Sequence, residues 1–377
     1  MATLAAKRKK GAARLCPVRH TLLLAALAVI GAYFAFRGKH EWMVFLSDRF
    51  VRPCHNAMAT LCDRAAFSVA ELIYALVIVV ILVYIIYSVI ALIRQPERGK
   101  RLYRMLVTLA MTAALFYAGF CLLWGVYYYG DSFAARAGLT DEPVSAAQLE
   151  TVTRYFAQLA NERSNRVQRD ENGVFSVPRE ELLEKGRTLY DGIEETFPAL
   201  AGEAHRPKPM VFSKVMSAIE FTGFFFPFTG EANLNTDSPV CFLPSTIAHE
   251  LAHQRGVAKE QEANFAAVAV SLENGDDDFV YSAALLAYVH LGNALYDADH
   301  AAWERVYASL NGQVRADFAA NRAYWSKYDD TAVSKASDAV YETFLESYGQ
   351  TLGLKSYGAC VDLLVAYYYE EASEAVG

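Results

Sequence analysis

The stretch PSTIAHELAHQRG, residues 244–256, decides how the fold of the water-facing part of this chain is interpreted. On a helix, residues i and i+4 share one face, so His249 and His253 can both reach a single metal ion. Glu250 is then placed beside the open coordination position, where it can accept a proton from a metal-bound water. The pattern predicts a metal-binding helix that carries its own general base.

The flanking residues support a short helix. Pro244 and Ser245 predict its start and Gly256 predicts its end, because proline suits a first helical turn and glycine suits a left-handed stop. The alternative interpretation is a polar helix face that carries two solvated histidines. Three metal ligands are needed, so the pair alone leaves both interpretations open.

The next segment, EQEAN, offers a third ligand at the start of another predicted helix. Glu260 and Asn264 are spaced i, i+4, so the carboxylate can bind metal while the amide supports a ligand. Glu262 lies roughly 200° further round the helix and is predicted to point away. The rival pattern HExxHxxGxxH fails at Lys259, because an ammonium group has no lone pair.

HExxH followed by a helix bearing E-x-x-A-[DN] resembles the glutamate-type zinc peptidases, or gluzincins. The resemblance implies zinc as the cofactor and a peptide or protein as the substrate. It also implies that His249, His253 and Glu260 bind the zinc, and that Glu250 is the base. This chain departs from the pattern in its very short gap between the two motifs. It also has Asn264 where Asp is more usual.

Residues 210–243 lack a helical period and predict one or two short strands with turns. In gluzincins an edge strand just before the metal helix holds the substrate backbone by strand addition. Gly230, Ala232 and Asn233 lie in the corresponding segment, 230–235, and an ordinary buried strand is the alternative. Candidates for an oxyanion-stabilising donor, chosen by residue type only, are Tyr281, His290 and Tyr357. His205 and His300 are expected at the surface.

Three apolar runs precede this region, at residues 21–36, 70–93 and 106–129. The second and third are long enough to cross roughly 30 Å of hydrocarbon. The first follows a basic tail, residues 1–20, and could be a cleavable signal. A membrane anchor is preferred, because residues 32–37 offer no small-x-small cleavage site.

Basic and acidic residues are distributed unevenly along the chain. Residues 1–129 hold 16 basic and 5 acidic side chains, which leaves 19 basic and 37 acidic for residues 130–377. An acidic domain argues against nucleic acid as a partner. The basic residues concentrate in the tail and in residues 94–104, which places both in the cytoplasm and residues 130–377 outside it.

The predicted fold is mainly α: three transmembrane helices in the lipid bilayer, then a helical zincin-like domain with a short β-sheet edge before the HExxH helix. Further helices are predicted at 146–165, from 178, and at 246–255, 259–274, 278–297, 300–325, 332–352 and 357–372. Cys54 and Cys62 lie in the predicted external loop 37–69, as a disulfide or as two small buried thiols.

A second resemblance covers nearly the whole chain. It rests on the three spans and on four stretches: residues 221–237, 249–265, 356–358 and 361–364. Together they resemble a bacterial family of uncharacterised multi-pass membrane proteins, classed as a domain of unknown function. That resemblance implies a location in the cell membrane and supplies no substrate.

The leading hypothesis is a membrane-anchored zinc metallopeptidase that hydrolyses peptide bonds outside the cytoplasm through a metal-bound water. The alternatives are a non-catalytic metal-binding envelope protein and a membrane sensor or interaction module. Intact Glu250 argues against the first alternative, since a structural site needs no base. The substrate, the native metal and the oligomeric state stay open.

The topology gives a first test. A reporter that is active only outside the cytoplasm, fused after Gly377, should be active, because the basic residues favour an external C-terminal domain. A cytoplasm-only reporter at the same position is the control. Its activity there would overturn the orientation.

Overall fold

The computed structural model describes residues 16–139, 144–329, 331–347 and 358–376. These residues form two compact units. The first comprises residues up to 51 together with 70–130, and the second comprises 52–69 together with residues from 131 onward. Residues 52–69, assigned from the sequence to a loop of the membrane anchor, group instead with the second unit.

The first unit is helical throughout most of its length. Its helices are α1 (Pro17–Phe36), α2 (His40–Leu46), α4 (Val69–Arg94, which starts at the unit boundary) and α5 (Arg98–Leu123), with a π-helical turn at Ser47–Val51. The third apolar helix starts earlier than the predicted residue 106 and ends before 129, since Gly125–Tyr129 is a separate 3₁₀ turn. The predicted loop 94–104 is therefore reduced to residues 95–97.

Four of the described helices are long and apolar enough to cross a membrane: α1, α4, α5 and a later helix, α12 (Asp277–Ala298). In the first three, only 11–17% of the most apolar window is buried within the protein. In α12 the buried share is 72%, so its apolar side chains pack inside the second unit. The apolar helices mark the chain as a membrane protein.

The second unit is also mainly helical, which confirms that part of the predicted fold. Its helices are α3 (Arg52–Cys62), α6 (Phe133–Ala137), α7 (Ala146–Arg163), α8 (Arg179–Gly186), α9 (Ser213–Ala218), α10 (Leu243–Gln254), α11 (Glu260–Asn274), α12, α13 (His300–Ser309), α14 (Gly312–Trp325), α15 (Ala332–Ser347) and α16 (Gly358–Val376). The single helix predicted at 300–325 is two, because Asn311 caps a new helix by accepting a hydrogen bond from the Val314 N–H.

The hydrophobic core of this unit lies between α7, α10, α11, α12 and α16. Apolar side chains of α7 recur at the predicted helical spacing, and Leu149, Val152 and Phe156 are all buried. Ser145 begins α7 with a capping box, in which its hydroxyl and the Gln148 side chain exchange hydrogen bonds with backbone N–H groups. Helices α10 and α11 are therefore packed against this core.

A three-stranded mixed sheet precedes α10. Its strands are β1 (Lys208–Pro209), β2 (Gly223–Phe226) and β3 (Glu231–Leu234), in the order β1-β3-β2. Because β3 pairs in parallel with β1 and antiparallel with β2, both of its edges are hydrogen-bonded. Of the two interpretations of residues 230–235, the ordinary buried strand is confirmed and the edge strand is wrong. Ala232 and Asn233 lie in this central strand, between β1 and β2.

Residues 52–69 are attached to the rest of the second unit by buried polar contacts. Lys208, with no exposed surface, donates through Nζ to the carbonyl oxygens of Cys62 (3.0 Å) and Ala65 (2.5 Å). Asp63 Oδ2 lies 2.9 Å from Nδ1 of His205. His205 is 4% exposed, so its predicted surface position is wrong, whereas His300 is exposed as predicted.

The same segment also contacts the central strand. The Ser68 hydroxyl donates to Asn233 Oδ1 (2.7 Å), and the Val69 N–H donates to Glu231 Oε1 (3.1 Å). Gly230 has φ = +70°, and a Cβ there would lie 2.5 Å from the His55 carbonyl oxygen. The β2–β3 connection therefore needs glycine at this position both for its backbone conformation and for space.

The two loop cysteines are not bridged, and both are free thiols. Cys54 and Cys62 lie on one helix, α3, eight residues apart, which separates them by about 12 Å along the axis. A disulfide needs Cα atoms about 5.5 Å apart. Cys62 is buried and Cys54 is exposed.

The buried ammonium group of Lys208 should be essential to the second unit. We expect Lys208→Met to lower the free energy of unfolding by about 2–4 kcal/mol, because two buried carbonyls lose a charged donor and Asp63 loses a cation 3.6 Å away. The measurement is denaturant unfolding of the full chain in detergent. Lys214→Met, at an exposed position on α9, is the control. Equal stability of the two variants would contradict this account.

Candidate metal centre

Helix α10 carries the HExxH residues and starts earlier than predicted. It begins at Leu243, with Pro244 in the first turn. Ser245 is not its cap, because this residue lies within the helix and its hydroxyl donates to the Phe242 carbonyl (2.9 Å). Gly256 has φ = +83° and follows the last helical turn, as its residue type predicts. The chain then turns directly into α11.

This turn brings together the three residues that the sequence singled out as metal ligands. Nε2 of His249 lies 3.2 Å from Oε2 of Glu260, and Nε2 of His253 lies 3.5 Å from the same oxygen. One ligand atom from each residue lies within 4.8 Å of the other two. The imidazole rings are edge to face, with centroids 4.6 Å apart.

The donor set can be compared with the geometry that zinc requires. Zinc binds imidazole nitrogen and carboxylate oxygen at about 2.0–2.2 Å in a tetrahedron, which puts neighbouring ligand atoms about 3.3–3.6 Å apart. The two separations from Glu260 Oε2, 3.2 and 3.5 Å, are close to that edge. Two imidazoles and one carboxylate are also a ligand set that leaves a fourth position open. The residues therefore fit a zinc ion.

Two further hydrogen bonds orient the ligands. His253 uses Nδ1 to donate to the Val257 carbonyl (2.6 Å), so Nε2 is the ring nitrogen that faces Glu260. The hydroxyl of Tyr341, on α15, donates to the other oxygen of Glu260, Oε1 (2.7 Å). Asn264 was expected to support a ligand. Within the described residues its half-buried side chain makes no hydrogen bond.

Charge coupling between the ligands shifts their pKa values. Burial disfavours the protonated form of His253, but the neighbouring carboxylate of Glu260 outweighs it and raises the pKa of His253 to about 9. Burial opposes ionisation of Glu260, yet the imidazole of His253 holds the pKa of that carboxyl well below its usual value. A metal ion must therefore displace a proton at neutral pH, and its affinity falls as pH is lowered below about 9.

Glu250 lies on the same helix, turned toward β2. Its side chain is buried, and Oε2 is a buried oxygen with no hydrogen-bond partner among the described residues. Burial raises the pKa of Glu250 to about 7, although His249 and His253 act to lower it. A Cβ atom at Gly223 of β2 would lie 2.7 Å from Cγ and Oε1 of Glu250. The backbone of β2 therefore lies directly against this carboxyl group.

The structure describes two of the three oxyanion candidates, and they lie in different surroundings. Tyr281 is fully buried and its hydroxyl donates to Asp317, which also forms a salt bridge with Arg169. The Tyr281 hydroxyl therefore already has an acceptor within this cluster. His290 is buried on α12, and burial together with the charge of His249 lowers its pKa to about 4. His290 is therefore a neutral imidazole near the ligands. Tyr357 lies outside the described residues.

Glu262 points away from the ligands, in the direction that helix geometry predicts. Its Oε2 accepts the Phe133 N–H (2.7 Å), and its Oε1 lies 3.3 Å from the Lys259 ammonium. The sequence assigned no role at the site to Tyr341 or Gly223, because both reach it only through tertiary packing.

Replacing the third ligand should remove the metal. We expect Glu260→Gln to lose most bound zinc, because a neutral amide oxygen is a poor substitute for the carboxylate. Glu262→Gln is the matched control on the same helix and should retain zinc, since its oxygen can still accept from the Phe133 N–H. Metal content of the purified full-length variants decides between them, and the reverse result would mean that α11 is rotated from its described orientation.

Comparison with known proteins identifies a family but gives no activity for it. A family model described as Protein of unknown function (DUF3810) matches residues 47–365. Neither curated proteins nor solved structures give a significant match. The matched range includes α10, α11 and α15, which carry the residues of the candidate metal centre. The chain belongs to the family Protein of unknown function (DUF3810).

Proposed function

We propose that this protein is a membrane-anchored zinc metallopeptidase that hydrolyses peptide bonds outside the cytoplasm. One observation carries the proposal. His249, His253 and Glu260 present three ligand atoms to one point, while the adjacent buried Glu250 has an oxygen with no partner among the described residues. A site that only bound metal would not need a buried, unpaired carboxyl group, because desolvating such a group is costly.

The residues divide the chemistry between them. When bound, zinc supplies a Lewis acid that makes water more acidic and polarises a carbonyl group. Glu250 accepts a proton from the attacking water at its unpaired Oε2, and the oxygen of that water bonds to the carbonyl carbon. As the carbon–nitrogen bond breaks, Glu250 returns the proton to the leaving nitrogen.

The substrate class follows from the sheet. Strand β2 is the outer strand in the order β1-β3-β2, and its Gly223 lies against the Glu250 side chain. An extended peptide that adds to the other side of β2 would run past the base. We therefore assign the substrate-binding edge to β2 (residues 223–226) in place of the central strand β3. Main-chain hydrogen bonds of this kind suit an extended segment of a polypeptide.

The membrane anchor consists of α1, α4 and α5 in this proposal. These three helices expose most of their apolar side chains, whereas α12 buries them in the core of the second unit. Three spans with a cytoplasmic N-terminus put the metal centre outside the cytoplasm, in the orientation that the basic residues favour.

Replacing the base tests the catalytic role. Glu250→Gln keeps the shape of the side chain and should bind zinc one to one, because Glu250 is not among the three converging ligands. Loss of a proton-transfer catalyst costs about 10²–10⁴ in rate, so cleavage of a broad peptide library should fall below detection. The readouts are metal content, circular dichroism and library cleavage by the full chain in detergent.

Two results would count against the proposal. Wild-type protein that is fully loaded with zinc and cleaves nothing would favour the non-catalytic envelope protein. A Glu250→Gln variant that cleaves as fast as wild type would mean that the activity belongs to another site. Glu262→Gln serves as the control for a nearby carboxyl group outside the proposed chemistry.

A further inference from the structure

We infer that Tyr341 is a positioning residue that selects which oxygen of Glu260 binds the metal. The inference rests on the metal site of the proposed function. It adds a positioning contact from α15, a helix that carries neither of the metal-site motifs. The hydroxyl of Tyr341 donates to Glu260 Oε1 at 2.7 Å. The other oxygen, Oε2, is the one that faces both histidines.

A carboxylate can bind a metal through one oxygen or through both. The hydrogen bond from Tyr341 competes with a metal for Oε1, so it favours one-oxygen binding of Glu260 through Oε2. This preference matters chemically, because a second oxygen from Glu260 would compete for the open position that a reacting water needs. With Tyr341 in place, a bound metal would keep that position open beside Glu250.

The position of Tyr341 is itself determined by contacts of α15. Its ring packs edge to face on Phe221, with centroids 5.2 Å apart. One turn earlier, the Ser337 hydroxyl donates to the carbonyl of Ile219 (3.1 Å). Residues 219–221 lead directly into β2, whose Gly223 lies against Glu250. Helix α15 thus connects the third ligand with the strand beside the base.

The sequence pointed to Asn264 for this supporting role, on the basis of its i, i+4 spacing from Glu260. Within the described residues the Asn264 side chain makes no hydrogen bond. The Tyr341 hydroxyl donates to Oε1 of Glu260 instead. The supporting group comes from 81 residues away in the chain.

The test compares two Tyr→Phe variants of the full chain in detergent. Tyr341→Phe removes the hydroxyl at the site. Tyr155→Phe is the matched control, because the Tyr155 hydroxyl also donates to a glutamate, Oε1 of Glu371 (2.6 Å), between α7 and α16. Zinc affinity is measured by competition with a chelator. Cobalt(II) is the second probe, since its visible absorption weakens as the coordination number rises above four.

We expect Tyr341→Phe to bind zinc about 10–100-fold more weakly and to give a weaker cobalt absorption, as is typical when a group that orients a metal ligand is lost. Tyr155→Phe should match wild type in both measurements. A purely structural role for Tyr341 would change the unfolding temperature of the metal-free protein and leave the cobalt spectrum unchanged.

A second measurement needs no substitution. Infrared difference spectra of wild type, with and without zinc, distinguish one-oxygen from two-oxygen carboxylate binding by the separation of the two carboxylate stretches. Two-oxygen binding, or a Tyr341→Phe variant with wild-type affinity and spectrum, would overturn the inference while zinc binding still stands. Wild-type protein that binds no zinc would overturn the metal site and this inference with it.

Discussion

The candidate site depends on one partly buried charge, the carboxylate of Glu260. An anion that loses part of its hydration is stabilised by the cations, metals or hydrogen-bond donors around it. In this site two imidazoles face Oε2 and a tyrosine hydroxyl satisfies Oε1. The sharp turn at Gly256 is what allows α11 to present this carboxylate to the helix before it. Within this arrangement, the buried Glu250 is the group left with an unpaired oxygen among the described residues.

The second unit is built from two pieces of chain separated by apolar helices. Residues 52–69 lie between the first and second apolar helices in sequence, yet they pack with residues from 131 onward. The fully buried Lys208 and the buried His205 make this attachment specific, because each would be costly to bury without its partners on residues 56–65. The unit that carries the candidate metal centre is thus discontinuous in sequence.

Helices could be predicted from the sequence more accurately than strand edges or the exposure of single residues. For residues 230–235 the sequence left open an edge strand and an ordinary buried strand, and β3 is the buried central strand, with β2 outside it. It placed His205 at the surface, where no local pattern distinguishes a solvated histidine from one paired with Asp63. It also assigned a supporting role to Asn264 that a distant tyrosine has instead.

Features encoded within a few neighbouring residues could be predicted from the sequence alone. The i, i+4 spacing of His249 and His253, the stop at Gly256 and the length of the apolar runs all predict local structure, because helix geometry relates positions three or four apart directly. The strand order, the role of residues 52–69 and the contact between Tyr341 and Glu260 depend on tertiary packing. The contacts of residues 52–69 and of Tyr341 join residues separated by 81 to 165 positions, and packing of the whole unit, which no short pattern records, brings them together.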